Sequence, residues 1–429
     1  MSKSIIHVPR RYVKEEWGGT ETVIQAIARH QIAAGFHPKI ITSTALSNRM
    51  TEEVGGIPVE RHHYCYPYFG LSSKDRLMLD KKGGNLLSFT LLRSLLAQKD
   101  ARIFHAHSLK RMGGTVATAA RFLGKPFVVS LHGGVFEVPQ TEVDNMRRPV
   151  EGKLEWGKPF GALLGSRSLL ERADMVICVG ENEAKAAQKE LNHDRITYLP
   201  NGVDTARFHG GNGGSFRRNY GIKDSEFLVL NVGRIDAQKN QLGLVRAFAE
   251  LVKQVPSARL VLIGPETQQG YLFALRACIS ENGLNNTVMI LPGLPPDSPD
   301  LTNAYAACDV FALPSTHEPF GIAALEAWSS EKPVVAAAVG GLKSLVSHGE
   351  TGLLANSATD LINHLISLQR SPELRQKLAA RGRDEARSCY DWSIIQDRLE
   401  SIYQHAEVSR TGKQKSKATY KVSPSPLHV

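Results

Sequence analysis

The chain has 429 residues, 42% of them apolar, with 52 Lys and Arg against 42 Asp and Glu, a formal charge of +10. That length and apolar content predict two or three domains with real cores and exclude a disordered composition. The five cysteines are scattered without Cys-x-x-Cys spacing, no apolar run approaches the roughly 18–20 residues that span a bilayer, and the first residues lack an apolar core of secretory length. The expectation is a soluble cytoplasmic protein with reduced thiols, neither a disulfide scaffold nor a zinc ribbon.

The charge is uneven. Residues 1–200 hold 28 basic and 20 acidic side chains, residues 201–409 hold 19 and 22, and the last twenty add five basic groups and no acids. Short β-rich runs are predicted at Ile5–Val8, Lys39–Ser43, Arg102–His107, Phe127–His132, Met175–Val179 and Ile196–Leu199, then at Leu228–Val232, Leu260–Ile263, Val288–Leu291, Val310–Leu313 and Val334–Ala337. Most are continuously apolar, as parallel strands buried on both faces are. Helix-period stretches lie between them, including Glu21–Ala34, Gly113–Phe122, Gly243–Val252, Tyr271–Glu281 and Ala323–Ser329. Eleven such strands predict two doubly wound α/β domains rather than one. The boundary is expected at Pro200-Asn201-Gly202, and the run Gly210-Gly211-Asn212-Gly213-Gly214 reads as a flexible surface loop because its spacing misses the dinucleotide fingerprint.

In open α/β sheets ligands bind beyond the carboxyl ends of the strands. Four such loops stand out. Gly18-Gly19-Thr20-Glu21 opens a helix, where N–H groups and the helix dipole suit an anion, although a plain tight turn explains it as well. His132-Gly133-Gly134 puts His132 at a strand's carboxyl end, where a structural histidine and a functional one are equally expected. In Val232-Gly233-Arg234 through Lys239, an arginine fork and a lysine point charge can converge on one anion. Glu318-Pro319-Phe320-Gly321-Ile322 leads to Glu326, with seven residues between the two glutamates. Carboxylates there can accept from sugar hydroxyls, and N–H groups at Gly321 and Ile322 can hold a phosphate.

Taken in order, these loops resemble glycosyltransferase family 4, retaining nucleotide-sugar transferases of GT-B fold, over about residues 5–406. The loop at Gly18-Gly19, the strand-end His132-Gly133, Pro200-Asn201-Gly202-Val203-Asp204, the pair Arg234 and Lys239, Cys308 through Ser315 before the glutamate motif, and Asp391-Trp392 through Tyr403 all match family segments. The resemblance implies two Rossmann-like domains facing each other across a cleft: an acceptor domain over 1–202, a donor domain over 203–388, and a helix over 389–408 returning to the first domain. Composition, rich in Lys, Ser and Pro, predicts a disordered basic tail over 409–429.

It also implies roles. Arg234 and Lys239 neutralise the donor diphosphate as it leaves, Glu318 with the N–H groups of Gly321 and Ile322 holds the donor sugar, and Glu326 binds the ribose. His132 lies near the reacting carbon, and Gly18 and Gly19 lie at the junction of diphosphate and acceptor. The donor would be a UDP- or GDP-sugar carrying a hexose, the acceptor a carbohydrate or lipid-linked molecule. No Asp-x-Asp occurs, in keeping with transfer that needs no metal or other cofactor, the two cations doing an ion's work. Departures are Pro265-Glu266 after Gly264, Ser344 for a glutamate, and Asn240 for a glycine.

Residues 72–102 carry seven basic groups against three acidic, and Leu86–Leu96 has seven large apolar residues in eleven. They predict either a peripheral contact with anionic membrane or a solvated basic face over a core helix. Arg61 through Phe69 reads as aromatic packing or a sugar platform rather than a metal site. A nucleotide-sugar epimerase or hydrolase can share the donor pattern, a noncatalytic binding protein would be expected to have lost donor residues such as Arg234, Lys239, Glu318 and Glu326, all present here, and nucleic-acid binding is not expected.

Overall fold

The computed structural model describes residues 3–14, 17–133, 140–191, 195–268 and 270–411. Two compact units are present, one holding the residues up to Pro200 together with those from Ile395 on, the other Asn201–Ile394. Both are parallel-sheet α/β assemblies.

The first unit carries β1 (Ser4–Val8), β2 (His37–Ser43), β3 (Thr51–Val54), β4 (Ile57–His62), β5 (Ala101–Ala106), β6 (Phe127–Leu131), β7 (Met175–Cys178) and β8 (Ile196–Tyr198). They form one sheet in the order β3-β4-β2-β1-β5-β6-β7-β8, parallel except for the β3/β4 hairpin. The continuously apolar runs become the central strands; all five residues of β6 are buried. The hairpin escapes that pattern because Thr51-Glu52-Glu53-Val54 is polar, yet Gly55-Gly56 between two such runs is a turn signal, and both glycines have positive φ.

The second unit carries β9 (Phe227–Val232), β10 (Ala258–Ile263), β11 (Val288–Leu291), β12 (Val310–Leu313), β13 (Val334–Ala337) and β14 (Gly352–Ala355), ordered β11-β10-β9-β12-β13-β14 and parallel throughout. Helix Gln241–Gln254 shows how its core is built. Leu244, Val245, Ala247, Phe248 and Leu251 recur at helical spacing, are buried, and belong to the same cluster as Val229, Leu260 and Leu262 of the strands. Truncating Phe248, fully buried, to Ala would cost about 3–5 kcal/mol.

The parallel strands of each sheet reverse their order once, between β1 and β5 and between β9 and β12. Those are the points where such sheets open a crevice for ligands.

One expectation changes, and of the two alternatives for another segment burial favours one. The glycine run at 210–214 is not a flexible loop. Asn212 caps helix Gly213–Asn219, and its N–H donates to Asn303 Oδ1 at 2.7 Å. A Cβ at Gly211 or Gly213 would lie 2.3 Å from the Thr302 carbonyl oxygen or 2.5 Å from that of Ala306. These glycines serve close helix packing. The apolar run Leu86–Leu96 is also chiefly core: Leu86, Leu91 and Leu95 are buried with Leu92 and Leu96 against them, Leu87 is buried, and Phe89 stands exposed.

The last helix runs Trp392–Thr411, so residues 409–411 of the expected tail are helical and 412–429 lie outside the described residues. The helix clamps the first unit. Arg102 makes paired hydrogen bonds to Glu400, at 2.7 and 3.0 Å, and to Glu407, both at 2.9 Å. These two carboxylates raise the guanidinium above its ordinary value despite partial burial.

Candidate active site

In the second unit the loop after β9 presents Arg234 and Lys239, and the loop after β12 presents Glu318. Lys239 Nζ donates to Glu318 Oε2 at 2.5 Å, and Ser315 Oγ donates to the same oxygen at 3.2 Å. Glu318 is 8% exposed, so its carboxylate is held by protein donors rather than water. Arg234, more open, places Nη2 3.2 Å from Gln238 Oε1 and 3.4 Å from Asp236 Oδ2. Gln238 ties the two loops together: its Nε2 donates to the His317 carbonyl at 3.1 Å, and its own carbonyl accepts from the Thr316 N–H at 2.8 Å.

The chain bends sharply to do this. Asn240, at φ +56°, caps helix Gln241–Gln254, its side-chain oxygen accepting from the Gly243 N–H while its Nδ2 donates to the Pro314 carbonyl. Asparagine is the residue besides glycine that visits this left-handed region routinely, which is why it fills a glycine position here. Gly321 has φ +108° and caps helix Ile322–Ser329, three residues after Glu318. Gly340 and Gly341 let the next loop close on it, since a Cβ at either would lie within 2.3 Å of the Glu318 or Pro319 carbonyl oxygen.

Glu326 lies farther along the Ile322–Ser329 helix and is not bonded to this cluster; its Oε2 accepts from the Tyr305 hydroxyl at 2.6 Å. Burial pushes its carboxyl up to about 7, opposed by the Tyr305 hydrogen bond and by Arg207.

The remaining anticipated residues belong to the first unit. Gly18 caps helix Gly19–Ala33 in extended conformation; its N–H donates to Glu21 Oε2 at 3.1 Å, and Arg11 lies 3.6 Å from the other Glu21 oxygen. Gly19 is exposed as the first helical residue. His132 follows β6 directly, with Gly133 at φ +92°; Gly134 lies outside the described residues. His132 Nε2 sits 2.9 Å from His107 Nδ1.

Models of two families match the chain: Glycosyl transferases group 1 over residues 214–385 and Glycosyltransferase Family 4 over 17–207. The D-inositol 3-phosphate glycosyltransferase of Stackebrandtia nassauensis is 31% identical over 90% of this chain and 86% of its own length. The chain belongs to glycosyltransferase family 4. The corresponding protein of Thermomonospora curvata is 30% identical over 91% of each chain. Among solved structures, Anabaena HepE with UDP and glucose superposes with a TM-score of 0.70 at 21% identity, covering 94% of this chain and 99% of its own. Sucrose-phosphate synthase from Thermosynechococcus elongatus gives 0.71 at 19% identity, covering 95% and 100%. The fold of the transferase is therefore GT-B.

Sequence reasoning about this transferase missed the groups that hold its loops: Asp236, Gln238, Ser315 and Tyr305. It also missed His7, His105, His107 and Gln31, which are buried beside His132. The visible signal was His105-Ala106-His107, two histidines on one face of a buried strand. The aromatic run near Cys65 packs as anticipated: Tyr64 and Tyr66 meet edge to face at 5.4 Å, and both hydroxyls donate to Asp80. No helix among the described residues is long and apolar enough to cross a membrane.

Proposed function

We propose that the enzyme moves a hexose from a UDP- or GDP-sugar to an anionic acceptor, with retention and without a metal ion. The observation that carries the donor half is the cluster of Lys239, Glu318 and Arg234 at the strand-order reversal, beside the Gly321 helix N-terminus. A diphosphate entering there would be met by one guanidinium, one ammonium and main-chain N–H groups of Gly321 and Ile322, aimed where charge develops as the diphosphate leaves. Glu318 keeps Lys239 oriented and offers its remaining oxygen to sugar hydroxyls, and Glu326 takes the ribose. His132 stands near the reacting carbon, and Gly18 and Gly19 lie where diphosphate and acceptor meet. No side chain is assigned as a nucleophile; the leaving phosphate takes the acceptor proton. Anabaena HepE, solved with UDP and glucose, supports a uridine donor.

An anionic acceptor is supported by crowding of like charge in the first unit. Burial lowers the Lys110 ammonium from its ordinary value, and Arg10, Arg147 and Arg111 lower it further. Its Nζ reaches only a carbonyl, that of Gly83, among the partners described, and the residue is held at φ +61°. Arg111 is paired with Glu155, whereas Lys110 meets no carboxylate among the partners described, so a bound anion would offset the like charge that remains around it. The relatives named for D-inositol 3-phosphate act on a phosphorylated polyol, which has the required charge.

Peripheral membrane contact rests on a ladder of rings in the same unit. Phe69 and Trp156, Trp156 and Phe160, then Phe160 and Phe89 approach at 6.5, 6.2 and 5.5 Å. Leu154 and Leu163 beside it are more than 70% exposed. Lys158 opens the helix that carries Phe160 and Leu163.

The deciding experiment is product analysis with a panel of UDP- and GDP-sugars, with and without inositol phosphates. Acceptor-dependent release of nucleoside diphosphate with the anomeric configuration kept, insensitive to chelators and abolished in Lys239→Ala, is expected. Acceptor-independent hydrolysis, or an epimerised sugar nucleotide, would replace this reading.

A further inference from the structure

The core of the first unit contains an unbroken chain of polar side chains where an α/β sheet ordinarily carries aliphatic ones. It starts at Gln31 on the Gly19–Ala33 helix, whose Oε1 is 2.8 Å from His7 Nε2. His7 Nδ1 is 2.9 Å from His107 Nε2, and His107 Nδ1 is 2.9 Å from His132 Nε2. The rings of His7 and His107, and of His107 and His132, lie near parallel at 27° and 29°. A side branch anchors the inner end. Gln31 Nε2 donates to the Tyr403 hydroxyl, which is 2.8 Å from His105 Nδ1, while His105 Nε2 is 2.7 Å from Ser130 Oγ. His7, Gln31 and His105 are fully buried and His107 is 7% exposed; His132, at the strand tip, is the most open member.

Such a chain has a direction. Burial lowers His7 and His132 to about 4 and holds His105 and His107 well below the ordinary 6.5, so every ring is neutral at physiological pH. A neutral imidazole has one N–H and one lone pair, so fixing the proton on one ring fixes it on the next. The Gln31 amide nitrogen is engaged by Tyr403, so its oxygen faces His7 and can only accept. His7 then carries its proton on Nε2, His107 likewise donates from Nε2 to His7, and His132 donates from Nε2 to His107. This leaves the His132 Nδ1 lone pair, unpaired among the described residues, at the carboxyl end of β6.

The nitrogens of His7, His105 and His107 lie within 4.8 Å of one another, a spacing that suits a metal ion. All six ring nitrogens of these three residues are engaged in the hydrogen bonds above, and an ion would have to break several buried ones, each costly to leave unmade.

We propose that Gln31, His7 and His107 are positioning residues that hold His132 in a single tautomer, Nε2–H inward and the Nδ1 lone pair offered to a hydroxyl of the transferred sugar. The proposal deepens, and rests on, the reading of His132 as a sugar contact. The pattern is that of histidines at metal and catalytic sites, where the hydrogen bond at one ring nitrogen sets the chemistry at the other.

Two measurements separate the relay from the contact. In protein labelled with ¹⁵N-histidine, two-bond proton–nitrogen correlations report the tautomer of each ring, His132→Ala supplying the assignment. The relay requires Nε2–H at His7, His107 and His132, with the His132 proton exchanging slowly enough with water to be seen. An Nδ1–H tautomer at any of the three, or a missing His132 proton, would overturn it with no variant of the core needing to fold.

The second measurement is a double-mutant cycle on turnover of the best donor from the sugar-nucleotide panel. His107→Phe is expected to lower kcat about 10- to 100-fold, the usual effect of removing an orienting partner, with donor KM within twofold. The same change in a His132→Ala background is expected to cost less than twofold, because its effect passes through His132. Losses that multiply would assign His107 a packing role and refute the proposal. Wild-type turnover in His132→Ala would refute the sugar contact itself, leaving the tautomer spectrum to judge the relay.

Discussion

Replacing Glu326 by Gln should make the ligand-free protein more stable and the enzyme worse. Glu326 is half-buried, its charge shared with the Tyr305 hydroxyl at 2.6 Å, and burial lifts its carboxyl from the ordinary 4.5 to about 7. The folded state thus holds a proton there that the unfolded chain releases, so this group's contribution to stability is intact below pH 4.5 and lost as pH rises through 7. At roughly 1.4 kcal/mol for each pH unit between those values, allowing for partial exposure, the loss is about 2–3 kcal/mol. A glutamine of the same shape can accept from Tyr305 and carries no such loss. Urea unfolding of both proteins at pH 5, 7 and 8.5 should show Glu326→Gln gaining on the wild type by roughly 2 kcal/mol between pH 5 and 8.5. Added nucleoside diphosphate should reverse the advantage, because only the carboxylate accepts from two ribose hydroxyls at once. Parallel pH profiles for the two proteins would refute the buried-carboxylate reasoning.

The other predictions concern the first unit. Lys110→Ala should raise KM for a phosphorylated acceptor about tenfold or more while leaving nucleotide binding by the second unit unchanged, as read by initial rates and calorimetry; an unaltered acceptor KM removes Lys110 from the acceptor site. Sedimentation with phosphatidylglycerol vesicles at low salt should pull down the wild-type protein, and Phe69→Ser with Trp156→Ser should weaken this several-fold; equal binding by the double variant would place the contact elsewhere.

Much of the architecture was legible because burial on both faces leaves a run such as Leu260–Ile263 no polar position. The β3/β4 hairpin was not, since its edge strand, Thr51-Glu52-Glu53-Val54, holds no apolar run. The glycines at 210–214 were misread because composition cannot distinguish a loop that moves from a backbone pressed against a neighbouring helix; what decides for Gly211 is the carbonyl of Thr302, 91 residues away. In the site, Lys239 and Glu318 could be picked out by residue type and position, but their 2.5 Å pairing depends on β9 and β12 being neighbours, a fact of topology. The histidine chain was hidden for the same reason. His7 and His105 are partners in register on adjacent strands, 98 residues apart in sequence.

The return of the last helix makes the first unit discontinuous, with the whole second unit inserted between Pro200 and Ile395. During synthesis the second unit has all its strands before the first has its final helix. Until residue 407 emerges, Arg102 lacks one of its two carboxylates, and until Tyr403 emerges, Gln31 and His105 share no hydroxyl. The group that orients the inner end of the histidine chain is thus made only after the whole second unit. A chain cut short after the second unit would retain Lys239, Glu318 and Arg234 but lack the hydroxyl that joins Gln31 to His105.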